Sequence, residues 1–289
     1  MLVAATIFEV DPSLPNPDDL KCDADAMAAA QERYETSQSG PLTILPNSMA
    51  YLPLSLLVSV DELKSLSSRA AALTVYPPQE RDVRCRRLEP SRRLGQIEFI
   101  FDLGNWSAFF RPDATDGRKY GTCLQILQYP FSRGSVHLAP GISGTAATKL
   151  ATPVIHPHYY EGPHGEIDLD VMVHGAEFAA RISQTAPLSH IIRGRAFPSS
   201  SPGDLRKWIR DTTVTDWHPV GTCALGGHRG IETGVVDARL RVYGVRHLRV
   251  ADASIMPLQI SAHLQATVYA IAEKAAYMIL EDAKGRPME

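Results

Sequence analysis

Gln96-Ile97-Glu98-Phe99-Ile100-Phe101-Asp102-Leu103 sets Ile97, Phe99 and Phe101 against Glu98, Ile100 and Asp102. A period of two places the first three side chains on one face of a strand. Thr122 to Tyr129 and Gly134 to Leu138 read as further strands. Met1 to Glu9 reads better as a strand than as a leader peptide, because it has no basic start and soon turns acidic and proline-rich. Helix signals flank these strands. Asp23 caps a helix over Ala24 to Thr36, which stops near Gly40-Pro41, and Ser59-Val60-Asp61-Glu62 is a capping box before Leu63 to Leu73. Asp168 or Asp170 starts a helix through Arg181 and Ile182, with Val171, Phe178 and Ile182 at helical spacing. Ser201-Pro202-Gly203-Asp204 opens a short helix carrying Leu205, Trp208 and Ile209. Strands clustered mid-chain with helices on either side predict an α+β fold: an antiparallel sheet covered on one face.

The bulk numbers narrow the function. The chain has 289 residues, 44% hydrophobic and 21% charged, which is enough for one large or two ordinary domains. A net charge of -3 argues against nucleic-acid or membrane-surface binding, and no apolar run reaches membrane-spanning length. The four cysteines, Cys22, Cys85, Cys123 and Cys223, form no C-x-x-C pair and read as structural thiols. His156, His158 and His164 lack metal-ligand spacing and read as loop residues, so no metal site is expected. The arginine-rich stretch Arg81 to Arg93 reads as an exposed loop. Asn105-Trp106-Ser107 is a glycosylation triplet of a kind that arises often by chance.

The last seventy or so residues carry the chemistry. Trp217-His218-Pro219-Val220-Gly221-Thr222 places His218 in a loop where chain reversal can present its ring. Ser261-Ala262-His263 reads as a cap and start for a helix through Leu264, Val268, Ile271, Ala275 and Ile279. Between them, Leu248-Arg249-Val250-Ala251 is strand-like and delivers Asp252 to a turn. Gly234 and Gly244 read as turn glycines. Removing a proton from a hydroxyl needs a base that titrates near neutral pH, and histidine suits this best.

The order of these segments resembles the C-terminal signature of the glucose-methanol-choline (GMC) oxidoreductases, in the manner of aryl-alcohol oxidase, glucose oxidase and versicolorin B synthase. Gly234-Val235-Val236-Asp237 and Tyr129-Pro130-Phe131-Ser132-Arg133-Gly134-Ser135-Val136 add to it, and Tyr34 with Ser39-Gly40-Pro41-Leu42-Thr43 resembles the approach to the family's substrate domain. The resemblance implies FAD-dependent oxidation of a primary or secondary alcohol, such as a fungal metabolite. It implies that His218 is the base, that His263 bonds the substrate oxygen, and that Asp252, Ala253 and His263 lie on the cofactor side. It divides the chain into a substrate domain over 1–205 and, over 206–289, the strand and helix elements that complete a flavin domain.

A dinucleotide site needs a strand, a G-x-G-x-x-G turn and a helix. Neither Gly141-Ile142-Ser143-Gly144 nor Gly226-Gly227-His228-Arg229-Gly230 fits that spacing. The expectation is therefore a C-terminal half alone, which holds FAD weakly unless a partner half supplies the Rossmann elements. Two other readings stay open: a non-redox cyclase, isomerase or dehydratase using the histidine pair, and an inactive or partner-binding remnant.

Overall fold

The computed structural model describes residues 1–43, 48–113, 116–139, 152–198 and 205–285. The Ser201–Asp204 opening and the Gly141–Gly144 cluster lie outside the described residues. The chain divides into two compact units, each discontinuous in sequence: 2–127 with 162–214, and 1 with 128–161 and 215–289. Residues 128–161, grouped by sequence with the first domain, thus cluster with the C-terminal segment.

The first unit is a mixed α+β structure. Its strands β1 (Leu2–Val10), β2 (Met49–Leu52), β3 (Ile97–Leu103), β4 (Lys119–Leu127) and β7 (Ile192–Phe197) are hydrogen-bonded in the order β2-β3-β4-β1-β7. Every pairing along this path is antiparallel, with Phe101 opposite Cys123 and Thr6 opposite Cys123 from the other side. The alternation in Ile97–Phe101 is therefore realised as a strand. In β1 it is absent because Leu2, Val3, Ala4, Ile7, Phe8 and Val10 are all buried, so both faces are covered.

Seven helices, α1 (Pro17–Cys22), α2 (Ala24–Ser37), α3 (Val60–Ala71), α4 (Pro78–Arg86), α5 (Gly162–Ser183), α6 (Leu205–Thr212) and α7 (Gln265–Ala283), are described. Asp23 caps α2, and Ser59 caps α3 by accepting from the backbone of Glu62, the half of the expected capping box that is formed; the Glu62 carboxylate instead faces His174 at 3.7 Å. α1 was not expected; Asn16 and Asp19 form its capping box, and Pro17 sits in its first turn.

Three expectations are corrected here. Arg81 to Arg93 is not simply a loop, because it begins inside α4. Glu80 pairs with Arg84 at 2.8 Å and Asp82 with Arg86 at 2.6 Å, both at i,i+4 spacing, and the buried Arg84 guanidinium stacks 4.3 Å from the Tyr76 ring centre. α5 starts at Gly162, well before Asp168. Asp168 lies buried inside the helix, whereas Asp170 takes an ion pair from Arg69 at 2.6 Å. His156 stands in a strand and His164 in α5, so only His158 is a loop residue.

α5 packs its Ile167, Leu169, Val171, Met172, Ala176 and Ala179 into the core. Gly175 lets it come close: a Cβ there would sit 2.9 Å from Ile97 Cδ1. Cys123 is buried on this sheet, and burial pushes its thiol up to about 12, so it stays protonated and inert. All four cysteines are free thiols.

The second unit contains α7, the two-stranded pair β5 (Ser135–His137) and β6 (Val154–His156), and much irregular chain. Gly134 admits the β6 strand, since a Cβ would meet His156 O at 2.4 Å. Val236, Leu240, Ile255, Ala275 and Met278 form its core, with Leu225, Val242, Val250 and Ile271 packed against them. The expected strand over Leu248–Ala251 is reduced to one bridge, Arg249 opposite Arg241. Its backbone is committed instead to the neighbouring loop: Val242 N donates to Leu248 O at 3.0 Å and Val250 N to Leu240 O at 3.1 Å.

Asp282, near the end of α7, accepts hydrogen bonds from Arg239 at 2.6 Å and Arg241 at 2.7 Å, and also from Arg249. These bonds, Arg241's foremost, hold its carboxyl down to about 2. Tyr269, Tyr277, Ile279 and Leu280 of the same helix are half exposed or more. Ile279 therefore does not belong to the inward face that its spacing suggested.

Candidate active site

His218 and His263 are 45 residues apart in sequence, yet their rings meet, His263 Nδ1 lying 3.3 Å from His218 Nε2. The ring centres are 4.9 Å apart and the planes tilted by 57°. One of these nitrogens donates a hydrogen to the other, and which one does depends on the tautomer.

A third group, not singled out from sequence, joins them. Asp216 Oδ2 lies 2.8 Å from His218 Nδ1 and 3.9 Å from His263 Nδ1. The first approach is at ion-pair distance but lacks the alignment of a hydrogen bond. The Asp216 side chain is only 14% exposed, so water screens its charge little. The only signal for it in the sequence is a carboxylate two residues before a histidine, which is too common to notice.

The local backbone explains how the rings are presented. Trp217 adopts a left-handed conformation with φ 53°, as do Ala262 at 65° and His263 at 61°. Such conformations are unfavourable for residues with a Cβ and persist where surrounding contacts enforce them. Those contacts are visible. Trp217 N donates to Thr215 Oγ1 at 3.0 Å, and Asp216 N to Met1 O at 3.2 Å. Ala262 N donates to Oε1 of the fully buried Gln128 at 3.0 Å. Gln128, which holds the loop before His263, was not singled out from sequence, since a glutamine at a strand end carries no motif.

The expected cap is corrected. α7 begins at Gln265 with Leu264 at its N-cap and no side-chain cap, so Ser261 does not cap it. His263 therefore precedes the helix rather than standing in its first turn. The two left-handed residues before Leu264 break the helical path that the apolar spacing would otherwise extend.

Of the cofactor-side candidates, Asp252 and Ala253 lie together and His263 lies with His218. Asp252 accepts from Ser254 N at 2.8 Å and so caps the short turn Ala253–Ile255. The chain after His218 is laid along this turn: Cys223 N donates to Ser254 O at 3.0 Å and Leu225 N to Ile255 O at 2.9 Å. Gly221, with φ 87°, passes close to Met256 O. Ser254 Oγ is buried without a hydrogen-bond partner, an orphan hydroxyl that suits a turn facing a polar ligand. Gly244 holds a positive φ of 74° as a turn residue does, whereas Gly234 is packed, a Cβ there meeting Gly226 backbone at 2.4 Å.

A separate cavity of about 280 Å³ lies in the sheet unit, lined by Phe8, Met49, Phe99, Phe101, Cys123 and Ile182 among others. It contains none of the expected site residues.

The paired histidines, the turn at Asp252 and the antiparallel sheet define a class. A family model described as GMC oxidoreductase matches residues 130–272. The chain belongs to the GMC oxidoreductase family. Among its relatives, the dehydrogenase mpl7 of Monascus purpureus is 30% identical over an aligned 313 residues, covering 97% of this chain and 46% of the relative. The GMC oxidoreductase family protein Mala s 12 of Malassezia sympodialis is 38% identical over 157 residues, covering 53% of this chain and 24% of that protein. In the solved structure of a formate oxidase, 46% of the chain superposes on 98% of this one with a TM-score of 0.76 at 22% identity, a likeness of fold. The chain thus spans about half the length of the curated relatives that match nearly all of it.

Proposed function

We propose that this chain supplies the substrate-side and proton-handling part of a flavin-dependent oxidoreductase that converts a primary or secondary alcohol to a carbonyl. The observation that carries the reading is the His218–His263 contact at 3.3 Å, with Asp216 beside both rings. Two imidazoles this close can both reach one substrate oxygen.

In this reading His218 takes the hydroxyl proton, His263 holds the oxygen by a hydrogen bond, and Asp216 balances the positive charge that appears on the ring taking the proton. A bound flavin supplies the hydride acceptor, which no side chain can provide. Asp252, Ala253 and His263 are the residues of this chain proposed to lie against it, and the orphan Ser254 hydroxyl fits a polar contact on the same turn. The dinucleotide's pyrophosphate needs a glycine-rich turn and a helix N-terminus, which a partner half would bring. The alcohol is proposed to be a fungal metabolite, in line with the Monascus and Malassezia relatives.

The test is to purify the chain alone, and again co-expressed with the flavin-binding half of a GMC relative. The first sample is expected to lose flavin on desalting, and the second to retain it and oxidise alcohols. Alcohol turnover abolished by His263→Asn but untouched by His218→Ala would reverse the two roles. Turnover of a substrate without flavin would replace the redox reading by a cyclase or isomerase.

A further inference from the structure

We infer that Asp216, His218 and His263 form a binding site for a divalent late transition-metal ion, of the Zn²⁺ and Cu²⁺ type. Each of the three offers one ligand atom, and these atoms lie within 4.8 Å of one another. Two imidazoles and a carboxylate are the donor set that such ions prefer over Mg²⁺ or Ca²⁺.

The distances fit. A tetrahedral ion with metal–nitrogen bonds of about 2.0–2.1 Å holds neighbouring nitrogens about 3.3 Å apart. His218 Nε2 and His263 Nδ1 already stand 3.3 Å apart. In the metal-free protein that gap is bridged by a proton on one ring; the ion takes the proton's place and uses both lone pairs. Asp216 Oδ2 lies 3.9 Å from His263 Nδ1, inside the same cluster of ligand atoms. In the metal-free protein the same oxygen faces His218 Nδ1 at 2.8 Å, a contact it gives up on turning to the ion.

Backbone and solvent favour the same conclusion. Trp217, Ala262 and His263 hold left-handed conformations that fix the rings before any ion arrives. The His218 and His263 side chains are 21% and 35% exposed, so an ion can enter and water can fill the remaining coordination positions. Sequence spacing could not show this, because 45 residues separate the two histidines. Since the ion would occupy the nitrogens that face each other, metal binding and proton transfer by this pair exclude one another, which makes the site a point of inhibition by metal.

Metal binding is independent of the flavin reading, its inhibitory consequence rests on that reading, and the binding is tested on the full chain without flavin. Cu²⁺ is titrated in at neutral pH and followed by electron paramagnetic resonance, and Zn²⁺ binding is followed by calorimetry and by histidine ring ¹H–¹⁵N spectra. Expected are one tight equivalent, a two-nitrogen hyperfine pattern, and zinc-induced shifts confined to two of the ten histidines. His218→Ala and His263→Ala should each abolish the tight equivalent, and the milder His218→Gln and His263→Asn guard against loss of fold. Asp216→Asn should weaken binding about 10–100-fold.

His156 and His158, stacked with ring centres 5.6 Å apart, are the rival pair, and a His156→Ala/His158→Ala variant should bind as the parent does. Tight binding that survives His218→Ala in a folded protein, binding that is lost with His156 and His158, or no binding above that of a single surface histidine would each overturn the site.

Discussion

The sheet unit and the histidine loops obey different rules. In the sheet unit, position is enforced by repetition: β3 and β4 pair over seven consecutive residues, and α5 sends a row of apolar side chains into the core. In the histidine region, position is enforced by single contacts, such as Ala262 N on Gln128 Oε1 and Trp217 N on Thr215 Oγ1, acting on residues in unfavourable conformations. The first arrangement spreads stability over many small terms, while the second concentrates geometry in a few. Mutations should therefore separate stability from chemistry by region.

The largest expected effect belongs to the loops and leaves stability alone. With flavin supplied by a partner half, His218→Ala should lower turnover about 10²–10⁴-fold. Its unfolding midpoint in denaturant should stay near the parent's, because the His218 side chain is one-fifth exposed and lies outside the core. His263→Asn should be milder, since asparagine keeps a hydrogen bond to the substrate oxygen. A large fall in stability for His218→Ala would break the comparison.

The reverse pattern is expected in the sheet unit. Leu169 is fully buried, and Leu169→Ala should destabilise the chain by about 2–5 kcal/mol in urea titration while the His218–His263 ring signals stay as they are. Gly175→Ala should change stability by only about 1 kcal/mol, because the helix-propensity gain offsets the shift of Ile97 Cδ1 that a methyl at 2.9 Å requires. A loss of several kcal/mol would mean that Ile97 cannot move and that α5 is locked against the sheet at this point.

An electrostatic test sharpens the contrast within the second unit. Asp282 is held at about 2 in the folded chain against an ordinary 3.8, chiefly by the Arg241 hydrogen bond and then by Arg249 and Arg239. A depressed carboxyl stabilises the fold above its unfolded value and loses that contribution as pH falls through the folded one. Asp282→Asn should thus remove a component of acid sensitivity between roughly pH 4 and pH 2, read as a smaller change in melting temperature across that window. An unchanged acid profile would show that the three arginines do not hold α7 in solution.

The smallest effect is the most specific. Ala262→Gly should stabilise the chain by about 1 kcal/mol or less, because glycine adopts φ of 65° without a Cβ penalty. It should also loosen the aim of His263 and broaden the ring signals of the pair. A destabilised variant would mean that Ala262 is not strained.

Much of the first unit was legible because regular structure writes its period into the chain. Ile97, Phe99 and Phe101 alternate, Asp23 and Ser59 announce α2 and α3, and Asn16 with Asp19 announces α1 to a closer reading. Where the sequence misled, a competing interaction won. Glu80–Arg84 and Asp82–Arg86 pairs turned an apparent arginine loop into a helix, and Leu248–Ala251 gave its backbone to the 240–242 loop instead of to a ladder. The start of α7 moved past Ser261 because two left-handed residues intervene.

The motifs around His218 and His263 named the family and pointed to both rings without knowledge of the fold, because residue type and order along the chain are local properties. That the rings stand 3.3 Å apart, that Asp216 lies against them and that Gln128 holds the loop behind His263 depend on segments far apart in sequence. Loops have no period to betray their path. Only the closure of specific long-range hydrogen bonds, at the expense of local backbone strain, fixes where such side chains meet.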